Sequence, residues 1–217
     1  MSNFWILTTA FAGYLLGALP FGYVVARAHG VDIFKEGSGN PGATNVKRVL
    51  GEKFGAKGKR AGNLVFLLDA IKGAVATGWP LLPWIEVPHQ DVLALIGVVA
   101  AVIGHSFSIF TRFKGGKGVA TAAGGLVVLI PVALAIAAAV WVVTFFTTRY
   151  VSLGSILGAV AVIIAVWAMP YSVAVAIIAT VLAALVILRH HANIRRLLAG
   201  TESKFVRKSA GDTRPPT

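Results

Sequence analysis

GVATAAGGLVVLIPVALAIAAAVWVVTFFT, residues 118–147, is an apolar run of 30 residues with no charged side chain. As one straight helix it would measure about 45 Å, against a hydrocarbon core of about 30 Å. Pro131 stands near its middle and removes a helical hydrogen bond there. The run therefore reads either as one kinked, tilted span or as two helices joined by a tight hairpin, one of them short. Further apolar runs lie at 3–26, 61–85, 90–109, 151–169 and 171–188. Pro131 thus decides between six crossings and seven.

Charge placement favours seven. With two crossings in the 118–147 run, Lys and Arg fall in the segments 27–60, 112–117, 149 and 189–214, all on one side. The opposite connections, near 80–90, 131 and 169–171, carry neither residue. Only Lys72 of the 20 basic residues lies inside a span. Basic loops stay on the cytoplasmic side. The expectation is an all-α polytopic membrane protein with seven transmembrane helices, its N-terminus outside and its C-terminus cytoplasmic. Residues 1–208 read as one integral membrane domain and 209–217 as a disordered tail. The first 26 residues lack a basic leader segment and a clear cleavage site, so they read as an uncleaved anchor.

Composition agrees. The chain is 57% hydrophobic and 13% charged, with mean hydropathy +0.80, values foreign to a soluble domain of this length. A net charge of +12 raises nucleic acid as a partner. No basic amphipathic helix or RNA-binding aromatic motif accompanies it, so loops facing an anionic leaflet explain the charge better. Alternating apolar strands are absent, which argues against a barrel. With no Cys there can be no disulfide or thiolate metal site.

Three strings share a character: small residues that free backbone N–H groups, with Lys or Arg beside them, where an apolar run ends. In the first, Glu36 to Arg48, three glycines accompany the hydrogen-bonding side chains of Ser38, Asn40, Thr44 and Asn45, and Arg48 supplies a planar fork for phosphate. The second is Lys114-Gly115-Gly116-Lys117-Gly118, with a helix starting just after it, so the helix dipole adds to anion affinity. It is not a nucleotide loop of the Walker type. Thr111 stands where that motif needs Gly, and Gly118 where Ser or Thr binds Mg²⁺. The third region joins Arg149, Ser152 and Ser155 to Arg189-His190-His191-Ala192-Asn193-Ile194-Arg195-Arg196. His190, Asn193 and Arg196 follow at spacings of three, one helix face. Each string alone would also suit an ordinary polar turn or a snorkelling interface.

Two further groups stand apart. Asp69 and Lys72 lie inside the second run, three residues apart, and either pair with each other or face a substrate. Glu202, an acid among many bases, suits a structural ion pair. Acids never cluster as Asp-x-x-Asp, no His is followed five positions later by Asp, and no His–carboxylate group suggests zinc. No metal or cofactor is expected.

Ser38-Gly39-Asn40-Pro41-Gly42-Ala43-Thr44-Asn45, Lys114-Gly115-Gly116-Lys117-Gly118-Val119-Ala120-Thr121 and Arg189-His190-x-x-Asn193-Ile194-x-Arg196 resemble the three cytoplasmic motifs of the bacterial acyl-phosphate:glycerol-3-phosphate acyltransferases. The resemblance runs from the first span to Glu202. One departure is Ser108, where such sequences often have Pro. The resemblance implies acyl transfer from acyl phosphate to the 1-position of glycerol 3-phosphate, giving lysophosphatidic acid and phosphate in phospholipid biosynthesis. It assigns activity to Ser38 and Arg48, and to His190 and Asn193. Glycerol 3-phosphate binding falls to Gly115, Gly116 and Gly118, and a structural role to Glu202. Asn40, Thr44, Asn45, Lys114, Lys117, Arg149, Ser152 and Arg196 complete the expected substrate-binding set. The expected location is the bacterial cytoplasmic (inner) membrane with the site facing the cytoplasm. Contact with the enzyme that makes acyl phosphate is a further expectation.

The chemistry fits these residues on its own terms. Acyl phosphate is a mixed anhydride, already activated, so the protein must bring two anions together and stabilise an oxyanion. The rival reading is a carrier for organic phosphates, which would place polar residues at mid-membrane on several helices; here Asp69 and Lys72 are the main charged candidates. A scaffold without catalysis leaves Ser38, Lys117, His190 and Asn193 on one face unexplained.

Overall fold

A computed structural model describes residues 3–205. These form α1 (Asn3–Ala18), α2 (Phe21–Ala28), α3 (Ala43–Gly78), α4 (Gln90–Ser106), α5 (Val119–Leu129), α6 (Pro131–Thr148), α7 (Val151–Ala168), α8 (Val173–Arg189) and α9 (His191–Leu198). Among the described residues there is no strand. The expected tail at 209–217 lies outside them.

The 118–147 run does divide at its proline. Ile130 leaves the helical region, with φ −138° and ψ 56°, and Pro131 opens α6 where a missing N–H costs nothing. By length and apolarity five stretches can cross a membrane: Asn3–Ala28, Ala43–Leu81, Gln90–Thr111, Pro131–Thr148 and Val151–Ala168. The α8–α9 pair, bent by 54°, adds a sixth only when the two helices are counted as one span. At 11 residues α5 is shorter than a full crossing. Five to six spans are thus present by length, against the seven expected, and a seventh pass requires the short α5.

Two breaks shape the cytoplasmic loops of the expected topology. The first apolar run is not one helix: it stops at Ala18 and restarts at Phe21, with Pro20 between. The carbonyls freed there are satisfied by long-range donors, Ser108 Oγ to Ala18 O at 2.6 Å and Lys72 Nζ to Leu19 O at 2.9 Å. Buried backbone oxygens in an apolar setting require such partners. Ser108 therefore has a bond to make that Pro could not supply. The second break is Gly55, inside α3, at φ 58° and ψ −130°. There the helix turns back on itself, and Gly58 and Gly62 pass so close to Leu50 and Lys47 that a Cβ would strike their backbones.

Packing is tightest between α1 and α4, α3 and α5, α6 and α7, and α7 and α8. One core joins α4 to α8 through Val98, Val102, Leu126, Ile130, Val166 and Leu182. A second, around Ile33, Val46, Leu50 and Val65, lies beneath the first polar string. Large apolar side chains are exposed at helical intervals, as at Phe4, Leu7 and Phe11, at Leu64, Leu67, Ile71 and Val75, and at Val173, Ile177 and Val181. Such outward stripes suit lipid contact.

Candidate active site

The three polar strings converge on one cavity of about 930 Å³. Its polar end is lined by Ser38, Asn40, Thr44, Asn45, Arg48, Lys117, Ser152, His190, Asn193, Arg196 and Glu202. Its apolar arm runs past Leu126, Leu134, Trp141, Phe145, Val162 and Leu182, between α5, α6, α7 and α8.

At the first string, backbone and side chains build a rigid loop. Asn45 is buried and fully committed: Oδ1 accepts from the Ser38 N–H at 3.0 Å, and Nδ2 donates to the Glu36 carbonyl at 3.0 Å. Gly37, at φ 58°, leaves room for that amide where a Cβ would collide. Asn40 Oδ1 accepts from the Gly42 N–H at 2.8 Å. Both asparagines thus hold the loop. That leaves the exposed Ser38, the exposed Thr44, Arg48 and the start of α3 to meet a ligand. The Ala43 and Thr44 N–H groups at that helix start have no partner among the described residues.

Across the cavity the second and third strings meet in a chain of short hydrogen bonds. Lys117 Nζ donates to Asn193 Oδ1 at 2.6 Å, and Asn193 Nδ2 donates to Glu202 Oε1 at 2.6 Å. Ser152 Oγ donates to the same oxygen at 2.6 Å, and Arg196 Nε to Oε2 at 2.7 Å. Burial pushes the Glu202 carboxyl up, but the bonds from Ser152, Asn193 and Arg196 and the Arg196 charge outweigh it and hold it below its usual range. Burial brings Lys117 down to about 8; Glu202 resists that shift, and Arg196, Arg48 and Arg189 add to it. A crowded set of cations is the natural seat for a phosphate.

His190 caps α8 and is buried, with Nδ1 at 2.7 Å from the Val186 carbonyl. That carbonyl can only accept, so Nδ1 carries the hydrogen and Nε2 keeps its lone pair. Burial, with Lys117 nearby, takes its pKa down to about 4, so the ring is neutral at pH 7.

Not every expected residue lines this cavity. Lys114, Gly115 and Gly116 line a separate void of about 20 Å³ behind the loop. The Gly116 N–H, expected to be open to an anion, is spent on the His105 carbonyl at 3.1 Å. The carbonyls of Gly115 and Gly116 accept from Arg189 at 3.2 and 2.9 Å. These glycines permit close packing, and Lys117 and Gly118 alone of the string line the large cavity. Arg149 is exposed, lies over the Phe146 ring and is absent from the lining; its carbonyl accepts from the Phe205 N–H at 2.9 Å. Asp69 and Lys72 do pair, at 2.7 Å, and Asp69 reaches the cavity wall while Lys72 does not.

Two residues of the site that the sequence does not mark out are His105, which lies beside Asp69 on that wall, and Phe205, whose ring meets Phe145 edge-on at the rim. A lone His in the last turn of an apolar helix becomes noticeable only when its acid partner on another helix is known.

The family model for glycerol-3-phosphate acyltransferase matches residues 7–200. A glycerol-3-phosphate acyltransferase of Trichlorobacter lovleyi is 42% identical over 202 residues, 93% of this chain and 96% of that protein. One from Bacillus cytotoxicus is 45% identical over 88% of this chain and 90% of its own length. Among solved structures, the integral membrane glycerol 3-phosphate acyltransferase PlsY, in its glycerol 3-phosphate form, superposes with a TM-score of 0.82. The two are 38% identical over 93% of this chain and 96% of that one; the lysophosphatidic acid form of PlsY gives 0.80. The chain belongs to the glycerol-3-phosphate acyltransferase family.

Proposed function

We propose that this protein transfers an acyl group from acyl phosphate to the 1-hydroxyl of glycerol 3-phosphate, forming lysophosphatidic acid and inorganic phosphate. The observation that carries this reading is a single cavity whose polar end carries cations on two differently built sides and which continues into one apolar arm. Lys117 and Arg196, with Ser152 and Asn193 beside them, suit the phosphate of glycerol 3-phosphate. The start of α3, with Ser38 and Arg48, suits the phosphoryl group of the donor, because open N–H groups and a helix dipole favour an anion. The acyl chain lies along the arm between α5 and α8. Exchange of that chain with lipid is near neutral in free energy, since lipid tails are as apolar as the groove. The arm directs the carbonyl more than it adds affinity.

In the reaction the glycerol 1-oxygen bonds to the acyl carbon and the carbon–oxygen bond to phosphate breaks. The hydroxyl proton passes to a phosphate oxygen or to His190 Nε2. A ring pKa of about 4 makes His190 a weak base at pH 7, which suits it to orient the hydroxyl. Ser38 Oγ and nearby N–H groups would stabilise the oxyanion in a direct transfer. The site faces the cytoplasm of a bacterial inner membrane in a seven-pass arrangement. The basic cytoplasmic loops would be where an enzyme delivering acyl phosphate makes contact.

Pure protein given acyl phosphate and glycerol 3-phosphate should form lysophosphatidic acid, with acyl-CoA inert in the same assay. Product from acyl-CoA alone would refute the donor assignment. Uptake of glycerol 3-phosphate into vesicles without product would favour a carrier.

A further inference from the structure

We propose that His105 and Asp69 are positioning residues for the glycerol 3-phosphate site, holding the Lys114–Gly118 loop from inside the bundle so that Lys117 is aimed at Asn193. The proposal rests on the functional reading above and extends it to two residues that need not touch substrate.

The loop contains Gly115, Gly116 and Gly118, so its own chain imposes little rigidity. Its most functional member, Lys117, carries its charge on a flexible four-carbon stem. Aim must therefore come from outside. His105 grips the loop twice, one residue before Lys117. Its carbonyl takes the Gly116 N–H at 3.1 Å, and its ring packs so closely beneath Gly116 that a Cβ there would land on Nε2. Arg189 holds the other side through the Ser106, Gly115 and Gly116 carbonyls, at 3.5, 3.2 and 2.9 Å.

Asp69 sets the ring that does the gripping. Its Oδ1 lies 3.5 Å from His105 Nδ1 and 2.7 Å from Lys72 Nζ. Lys72 in turn anchors to the Leu19 carbonyl at 2.9 Å and lies over the Phe21 ring. The chain of contacts thus runs from the α1–α2 break through Lys72, Asp69 and His105 to the loop. Asp69 and Lys72 are each 2% exposed. A buried ion pair is poor value for stability alone, since apolar residues of similar volume often do as well. Fixing a ring at a required angle gives this pair a purpose that packing would not.

The test uses the full-length protein in detergent and labelled glycerol 3-phosphate in equilibrium dialysis, which needs no turnover. His105→Leu and Asp69→Asn should each weaken binding about tenfold, while the KM for acyl phosphate stays within about twofold. His105→Asn, which keeps a donor toward Asp69 but has no ring beneath Gly116, should recover little of the binding. In a Lys117→Ala background, His105→Leu should add less than about twofold, since the group it aims is gone. Equal weakening toward both substrates, an undiminished effect without Lys117, or full recovery by Asn would each overturn the proposal. Wild-type protein that binds no glycerol 3-phosphate would remove the functional reading itself, and this proposal with it.

Discussion

Lys117 and His190 stand in the same cavity with opposite duties at neutral pH, one charged and one not. Phosphate monoesters have a second pKa of about 6, so glycerol 3-phosphate is a dianion throughout pH 7–10. Any loss of affinity there comes from the protein. Lys117 is charged below its pKa of about 8 and neutral above it. The value of kcat/KM for glycerol 3-phosphate should therefore fall as pH rises through about 8, and Lys117→Arg should move that limb far to higher pH. An unchanged limb in the Arg variant would assign it to another group. His190, titrating near 4, should contribute no step between pH 5 and 9. Gly116→Ala belongs at this scale too. Because the added Cβ meets the His105 ring, it should raise the KM for glycerol 3-phosphate through a displaced loop. A selective loss of turnover with KM unchanged would contradict that.

At the scale of elements, Glu202 ties two helices together, α7 at its start through Ser152 and α9 through Asn193 and Arg196. Its side chain is 6% exposed. Glu202→Ala leaves three donors without their acceptor; the two buried ones, on Ser152 and Asn193, cost roughly 1–3 kcal/mol each when unsatisfied. Glu36→Ala breaks an ion pair with Lys53 that is just as short, at 2.6 Å against 2.7 Å, but both partners there are about 40% exposed and the pair is worth at most about 1 kcal/mol. Glu202→Ala should therefore lower the melting temperature clearly and Glu36→Ala hardly at all; similar shifts would contradict the assigned role. Topology is tested at this scale as well. Cysteines placed at Ala56 and Phe113 should be shielded from an impermeant outside reagent and one at Val87 labelled. The reverse pattern would invert the orientation.

Across the whole molecule, what could be read from sequence was local. Pro131 breaks its helix wherever the neighbours lie, and the polar strings stand out because apolar runs flank them. The break at Pro20 was hidden by an unbroken apolar run, and its meaning depends on Lys72, 53 residues away at the Leu19 carbonyl. Gly55 is one glycine among 24, and nothing nearby marks it as a helical hairpin. In the site, Ser38, Arg48, Lys117, His190, Asn193 and Arg196 were legible as types suited to phosphate and alcohol, and the fold gathers all six at one cavity. The use of the Asn45 amide and of the Gly116 N–H was not, because both are spent on partners that only the folded chain supplies.

In the proposed reaction both anions share one cavity and the acyl group moves between them in a single step. A Ser38 ester would surrender the reactivity of the anhydride before the glycerol hydroxyl attacks. No hydrogen bond joins the Ser38 hydroxyl to a histidine among the described residues. The most direct measurement mixes wild-type protein with acyl phosphate alone, quenches rapidly, and follows phosphate release together with intact-protein mass. Direct transfer predicts no burst and no added acyl mass, with phosphate appearing only when glycerol 3-phosphate is supplied. A burst of about one phosphate per site, with an acyl adduct on Ser38 that glycerol 3-phosphate then discharges, would contradict it.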